Sequence, residues 1–275
     1  MRTKGRLCGI WGNPYLDLSS LIDTSVFPEL DVEIALGLSR AETSYTGGSL
    51  KWMGVVAPWV KQDGYVDYME AIQRFSDEEF ARFVSLAEEP SAFEVKHRAE
   101  YSFGDETDHP LTKEQMRYLK MRHGVYFPWK ACYHLLENDS WEDKHSGEGK
   151  EFTEEARELF PKTVAFIESL PFSEIGRCVL FGVEANDHAP AHCDSEPGKA
   201  LSIAQSISFE PRPGKRFYLV DPENEERTYV KAPIYWFNDA DYHGVEATKS
   251  FHYSIRVDGV FDPEFVHALR TSYGA

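Results

Sequence analysis

The feature that most constrains the fold of this chain is a change of hydrophobic pattern near residue 177. From there to residue 261, short runs of β-branched and aromatic residues are separated by Gly, Pro, Asn and Asp, which is typical of β-strands. Short strands at this spacing predict a sandwich or jelly roll and not alternating βαβ units. About eight runs can be counted, at residues 177–186, 188–194, 200–209, 215–220, 227–232, 233–239, 242–248 and 251–261.

The part of the chain before these runs has a helical period. Ser76 is followed by Glu79 in a capping-box pattern, and apolar residues then recur at spacings of three and four. Thr112 and Gln115 make a second such start. A third helical stretch lies between residues 153 and 170, and Pro161 either interrupts it or begins a new helix.

These patterns together predict an α+β fold. We expect residues 1–150 to form a mainly helical region that is integral to the same domain. We expect residues 151–275 to form a double-stranded β-helix, the jelly roll of cupin-like proteins. A chain of 275 residues is long enough for one large domain or two modest ones.

The net charge of −17 is spread over both halves of the chain. It argues against nucleic acid and anionic membranes, since both are bound by clustered Lys and Arg. The sequence contains no apolar stretch long enough to span a bilayer and no secretory signal, so we expect a cytoplasmic protein with free thiols. The four cysteines form no CxxC pair, which disfavours a zinc ribbon.

Ala191-His192-Cys193-Asp194 is the segment in which a metal site is predicted. Residues two apart on an extended chain point to the same side, so His192 and Asp194 can bind one ion together. The alternative is a surface turn with Cys193 as a small apolar filler. A third ligand has to come from elsewhere in the chain.

His243 is the preferred third ligand, because it lies at a predicted strand start 49 residues beyond Asp194. His188 and His252 are its rivals for this position. Two histidines and one carboxylate on one face of an octahedron form the facial triad of non-haem Fe(II) oxygenases. The alternative for His243 is a structural role in a turn.

Arg256 lies in the last predicted strand, where alternation places it on one face with His252 and Ser254. An arginine that points into a barrel requires an anion, and its planar guanidinium matches a carboxylate. Ser254 can add a hydroxyl to such a site. Alternatively, Arg256 pairs with a structural carboxylate such as Asp258.

The order His-x-Asp, His, Arg on a predicted jelly roll resembles the Fe(II)- and 2-oxoglutarate-dependent oxygenases over about residues 160–260. The resemblance implies that His192, Asp194 and His243 bind Fe(II) and that Arg256 holds the distal carboxylate of 2-oxoglutarate. With O₂ as oxidant, it implies hydroxylation. Halogenases of the family replace the carboxylate ligand by a small residue, whereas Asp194 is present here.

Three flanking segments are similar to the aspartyl/asparaginyl β-hydroxylase-like branch of that family. They are Phe160-Pro161-Lys162-Thr163, Leu170-Pro171-Phe172 and Ile175-Gly176-Arg177. Known members of the branch lack the carboxylate ligand, so this chain departs from their pattern at Asp194. The branch implies an amino-acid side chain as substrate, and we expect it in a peptide, such as a natural-product peptide. The acidic surface suits a neutral or basic peptide.

Two further residues are candidates for binding the co-substrate. Gln205 lies in an apolar row with Ile207 and Phe209, so its amide contacts either the co-substrate or an internal partner. Arg177 opens the first predicted strand. It contacts either the other carboxylate of 2-oxoglutarate or a substrate anion, or it forms a salt bridge at the rim.

Two other function classes are compatible with the same predicted fold. A cupin-type metalloenzyme that does not use 2-oxoglutarate would bind a metal and give no role to Arg256. A non-enzymatic jelly-roll binding module would have no tight Fe(II) site.

Overall fold

The computed structural model describes residues 7–41, 55–60, 68–103, 109, 111–125, 131–137, 143–194 and 203–274. The α-helices of this part are α1 Phe27–Leu38, α2 Tyr68–Gln73, α3 Asp77–Val84, α4 Lys113–His123, α5 Glu154–Leu159, α6 Pro161–Glu168 and α7 Pro263–Tyr273. Its strands are β1 Tyr15–Asp17, β2 Val55–Val56, β3 Ala131–His134, β4 Phe172–Val183, β5 Ala189–Cys193, β6 Ser206–Phe209, β7 Arg216–Val220, β8 Arg227–Tyr229, β9 Ile234–Phe237, β10 His243–Glu246 and β11 His252–Phe261. Short 3₁₀ helices cover Pro90–Ala92 and Val95–Glu100.

The strands form two sheets. The larger sheet has the order β1-β9-β6-β11-β4-β3, and the smaller one has the order β2-β5-β10-β7-β8. The described strand pairs are all antiparallel. From β4 to β11 the chain passes repeatedly between the sheets, and only β7 and β8 follow one another within a single sheet.

Each of the eight predicted runs contains one strand of the fold. The first strand begins earlier than expected, at Phe172, because β4 continues to pair with the end of β11 as far as Phe172 and Phe261. The run at 200–209 contains only the strand Ser206–Phe209, and residues 200–202 lie outside the described part. Strands β7 and β8 form a hairpin, and Asp221 N–H donates to Glu226 O across its loop.

The predicted helix starts are confirmed by their caps. The Ser76 hydroxyl accepts from Glu79 N–H, and the Glu79 carboxylate accepts from Ser76 N–H. Thr112 and Gln115 make the same reciprocal pair. Pro161 marks a new start, because α5 ends at Leu159 and α6 begins at the proline. At the first helical position the missing N–H of a proline has no partner to lose.

A large apolar core lies between helices α1, α5, α6 and α7 and the outer face of the larger sheet. Side chains of alternate residues of β11, namely Tyr253, Ile255 and Val257, belong to this core. The intervening residues of β11 therefore point to the other face of the sheet, toward the smaller sheet.

A second apolar cluster lies between the two sheets. It joins Tyr235 and Phe237 of the larger sheet to Phe217, Leu219 and Val245 of the smaller one. The inner faces of the two sheets thus pack on each other, and polar residues on these faces are enclosed between them.

The first half of the chain is helical in part and also adds strands to both sheets. β1 pairs with β9, β2 pairs with β5, and β3 pairs with β4. Helices α2, α3 and α4 enclose an apolar cluster of their own. No helix in the described ranges is both long and apolar enough to cross a bilayer.

Candidate metal centre

His192, Asp194 and His243 come together at one end of the space between the sheets. Each offers one ligand atom, and these atoms all lie within 4.8 Å of one another. The Nε2 atoms of His192 and His243 lie 3.6 and 3.3 Å from Asp194 Oδ1. Side-chain atoms at these separations can ligate a single ion.

Strand pairing explains why the two histidines meet. His192 on β5 is the direct partner of His243 on β10, so both side chains leave the sheet on the same face. Their ring centroids are 4.5 Å apart. The bulge between His243 and Val245 changes the register immediately after the pair.

Backbone carbonyls fix the orientation of both imidazoles. Nδ1 of His192 lies 2.8 Å from Pro190 O, and Nδ1 of His243 lies 2.9 Å from Asp241 O. A carbonyl can only accept, so each Nδ1 is the donor in these contacts. Both Nε2 atoms face Asp194, which is the arrangement of metal-binding histidines.

The neutral form of His192 is strongly favoured. Burial, together with the nearby His243, lowers the pKa of His192 to about 4. A histidine must be neutral to bind a metal. His192 therefore needs no deprotonation at neutral pH before it can act as a ligand.

Asp194 follows β5 directly, and its backbone N–H donates to Asp239 O. Its side chain is 29% exposed, whereas those of both histidines are buried. Burial tends to raise the pKa of Asp194, but His243, Arg256 and His192 outweigh it and hold the pKa well below its usual range. The carboxylate is thus ionised, as a metal ligand must be.

Arg256 contacts the centre through its guanidinium. Nη1 donates to Asp194 Oδ2 at 2.6 Å, and Nη2 donates to Asp239 Oδ2 at 2.7 Å. Nε donates to Asp258 Oδ1 at 2.9 Å. The guanidinium carbon lies 5.4 Å from the centroid of the Phe237 ring. Each nitrogen of this arginine therefore contacts a carboxylate of the protein.

Asp258 connects two buried arginines. Its Oδ2 accepts from Arg177 Nε at 2.9 Å, while its Oδ1 contacts Arg256. The side chain of Asp258 is 0% exposed, and both arginines are buried. Asp239 has a second cation as well, since Lys144 Nζ lies 2.7 Å from its Oδ2.

A second polar group lies deeper between the sheets. Lys215 immediately precedes β7, and its Nζ donates to Ser254 Oγ at 2.5 Å. Glu210 follows β6 and accepts from the Tyr235 hydroxyl at 3.3 Å. Lys215 and Glu210 are each 8% exposed.

The structure places the two remaining candidates away from the histidines. Gln205 Oε1 accepts from Phe261 N–H at 2.6 Å, and the Gln205 carbonyl accepts from Gly259 N–H. The amide thus has the internal partner that was the alternative at sequence level. Arg177 has the expected salt bridge, but that bridge with Asp258 is buried.

Three residues of the site were not found from the sequence. Lys215 precedes β7 and alternates with Phe217 and Leu219 of that strand, so a charged residue in line with an apolar row is a usable signal. Glu210 and Asp239 gave no such signal, because each lies just outside a strand and its contacts are long-range.

The chain shows only limited similarity to known proteins. No family model matches the chain, and no curated protein gives a significant match. A solved 2-oxoglutarate–Fe(II) oxygenase-family oxidoreductase from Burkholderia pseudomallei is 12% identical, with a TM-score of 0.31. That match covers 46% of this chain and 64% of the Burkholderia chain, which is less than two thirds of its length.

Two prolyl hydroxylases are similar to a comparable degree. The enzyme from Pseudomonas putida is 9% identical, with a TM-score of 0.28, over 50% of this chain and 78% of that chain. The enzyme from Trichoplax adhaerens, solved with a peptide fragment of hypoxia inducible factor, is 13% identical, with a TM-score of 0.30, over 54% and 70%. At these TM-scores, the similarity by itself assigns no activity. The aspartyl/asparaginyl β-hydroxylase-like branch stays a prediction.

Proposed function

We propose that the protein is a hydroxylase dependent on Fe(II) and 2-oxoglutarate. The observation that carries this proposal is the convergence of two oriented imidazoles and one ionised carboxylate. The donor set of two histidines and one carboxylate is that of non-haem Fe(II) oxygenases. It fits the ion because both Nε2 atoms face Asp194 and both Nδ1 atoms are held by carbonyls.

The sheet topology supports the same proposal. In a double-stranded β-helix, successive strands alternate between two facing antiparallel sheets, and β4 to β11 follow this path apart from the β7–β8 hairpin. We propose that this part of residues 151–275 is the catalytic jelly roll. We propose further that residues 1–150 are integral to the same domain, and the strands that this region pairs with both sheets support that proposal.

The proposed reaction gives each group of the centre a defined task. His192, Asp194 and His243 would hold Fe(II) on one face. When bound, Fe(II) supplies the activation of O₂ that converts 2-oxoglutarate and substrate R–H into succinate, CO₂ and R–OH. One oxygen atom enters succinate and the other enters the new hydroxyl. Nδ1–H of each histidine keeps its ring oriented throughout.

Arg256 has a positioning task in this proposal. Its bond to Asp194 Oδ2 leaves Oδ1 directed at the two Nε2 atoms. Asp239 and Asp258 hold the guanidinium in place. Groups that orient metal ligands in this way contribute to metal affinity.

For the substrate, we propose an amino-acid side chain within a neutral or basic peptide. The net charge of −17 supports this choice, because an acidic surface attracts cationic partners and repels anionic ones. A natural-product peptide is one such substrate.

The test is an anaerobic Fe(II) titration with and without 2-oxoglutarate, followed by measurement of succinate after O₂ is admitted. The wild type should bind one Fe(II) and release succinate, whereas His192→Ala and His243→Ala should lose both. His188→Ala is a matched control, because His188 lies four residues from His192 and outside the ligand set.

The other function classes predict different results. A 2-oxoglutarate-independent metalloenzyme would bind Fe(II) with no effect of 2-oxoglutarate and no succinate. A binding module would show no tight Fe(II) site and would tolerate His192→Ala. Either result would overturn the proposal.

A further inference from the structure

We infer that Lys215, together with Ser254, binds the distal carboxylate of 2-oxoglutarate, and that Arg256 does not. This inference rests on the proposed function and concerns the same site. It changes the role implied for Arg256 by the sequence resemblance and assigns one to a lysine outside the predicted set.

The ammonium of Lys215 is buried without a carboxylate of the described residues in direct contact, and Glu210 acts on it only from a greater distance. The ammonium donates to the neutral hydroxyl of Ser254. Among the described residues, no carboxylate oxygen comes within 4.0 Å of it. Since a buried charge is costly unless it is paired, this arrangement favours the entry of an anionic group.

Arg256 has the opposite surroundings. Three carboxylates of the protein, those of Asp194, Asp239 and Asp258, already contact its three nitrogens. A further carboxylate there would have to displace one of them or be repelled by all three. Arg256 is therefore suited to orient Asp194 and poorly suited to bind a co-substrate anion.

Lys215 lies on the same face of its segment as the strand partner of His243 and is displaced from that partner along the strand. Lys215, Phe217 and Leu219 share one face of the β7 segment, and Leu219 is the direct partner of His243. At about 3.3 Å per residue, the Cα of Lys215 lies roughly 13 Å along the strand from that of Leu219. Ser254 lies two residues from Arg256 on the inward face of β11. The ammonium is thus set back from the histidines on the same face.

Several charged or titratable groups face Lys215. They are Glu210 after β6, whose carboxylate also accepts from Tyr235 on β9, and His252 on β11, whose pKa is lowered by burial and by Arg212 and Lys215. Burial lowers the pKa of Lys215 to about 8, although Glu210 acts to raise it. Burial likewise raises the pKa of Glu210 to about 7. At neutral pH the ammonium is therefore mostly present, and Glu210 can take up a proton when an anion enters.

The test compares two keto acids by calorimetry on the anaerobic Fe(II) protein. 2-Oxobutanoate has the metal-chelating end of 2-oxoglutarate and lacks the distal carboxylate. The wild type should bind 2-oxoglutarate on the order of 10- to 100-fold more tightly, the range typical of a charge-assisted contact. In Lys215→Met that preference should largely disappear, while the affinity for 2-oxobutanoate should be unchanged.

Lys150→Met is the matched control. The side chain of Lys150 is largely buried, its Nζ donates to the backbone carbonyl of Gly176 at 2.7 Å, and Nζ also lies 3.1 Å from Asp143 Oδ2. This variant should keep the wild-type preference. Ser254→Ala is a second variant that removes no charge and should reduce the preference by a smaller factor, about 3- to 10-fold.

The outcomes separate this inference from the proposed function. If the wild type prefers 2-oxoglutarate and both Lys215→Met and Ser254→Ala keep the full preference, the inference is wrong and the proposed function stands. If the wild type binds Fe(II) and neither keto acid, the proposed function fails, and the inference fails with it.

Discussion

Arg256 and Asp194 are separated by 62 residues in sequence and are joined by a 2.6 Å hydrogen bond between Nη1 and Oδ2. This bond links the last strand of the larger sheet to the end of β5 in the smaller one. Oδ1 of Asp194 lies near the Nε2 atoms of both histidines, and Oδ2 accepts the hydrogen bond from Arg256. One side chain therefore connects the candidate metal site to the buried ion-pair network.

Replacing Arg256 should weaken metal binding without removing any ligand. In Arg256→Met, the carboxylate of Asp194 loses the partner that orients it, and loss of such partners typically costs 10- to 100-fold in metal affinity. Anaerobic Fe(II) titration measures the effect. Arg157→Met is the control, because Arg157 pairs with Glu168 at the surface. An affinity equal to that of the wild type would show that the bond does not orient Asp194.

Replacing Asp258 should destabilise the fold. Asp258→Asn leaves Arg177 and Arg256 buried without the charge that they share, and breaking a buried ion pair costs about 3–5 kcal/mol. The free energy of unfolding in urea is the measurement. Glu168→Gln removes an exposed pair and should change it by less than about 1 kcal/mol. If the two variants changed the free energy of unfolding equally, burial of the Asp258 ion pairs would not be the source of their contribution to stability.

Removing the metal should lower the melting temperature of the wild type and leave that of the ligand variant His243→Ala unchanged. A ligand at 100 times its dissociation constant stabilises the native state by about 2.7 kcal/mol. A chelator should therefore shift the melting curve of the metal-loaded wild type and leave that of His243→Ala in place. Scanning calorimetry with and without chelator gives both curves. A shift of the same size in the variant would place the bound ion elsewhere.

Because of Glu210, the free energy of unfolding of the metal-free protein should decrease as pH rises. Burial raises its pKa to about 7, opposed by Lys215 and by the hydrogen bond from Tyr235, and the unfolded value is about 4.3. Between these values the native state binds more protons than the unfolded state, so its stability decreases as pH rises. The stabilising contribution of protonated Glu210 is complete below about pH 4.3 and is lost by about pH 7.

Glu210→Gln tests this expectation by urea unfolding at several pH values between 4.5 and 7. Relative to the wild type, the variant should gain up to about 1.4 kcal/mol per pH unit within that window. His252 and Lys215 are present in both proteins, so their titration largely cancels in the difference. A difference that stays constant over the window would mean that Glu210 has an ordinary pKa.

The helix starts and the strand set could be predicted because their causes are local. The Ser76–Glu79 box is completed within three residues, and Pro161 acts through its own missing N–H. Alternation in β11 predicted that Tyr253 and Ile255 face one way and Ser254 and Arg256 the other. The early start of β4 was missed, because it depends on pairing with the distant end of β11.

For the candidate centre, the two-residue spacing predicts that His192 and Asp194 point to one side, because this follows from the period of an extended chain. His243 is predicted from its place at a strand start, and only strand pairing puts it opposite His192. The tertiary structure decided what the charges around them do. The sequence predicts that Arg256 binds either a co-substrate anion or Asp258, and only the packing of β5, β11 and the loop after β9 brings Asp194 and Asp239 to it as well. Lys215 is not among the predicted residues, and only its burial with no carboxylate of the described part of the chain in direct contact makes its ammonium distinctive. The energy of a charge depends on its neighbours in space, and one-dimensional spacing does not specify them.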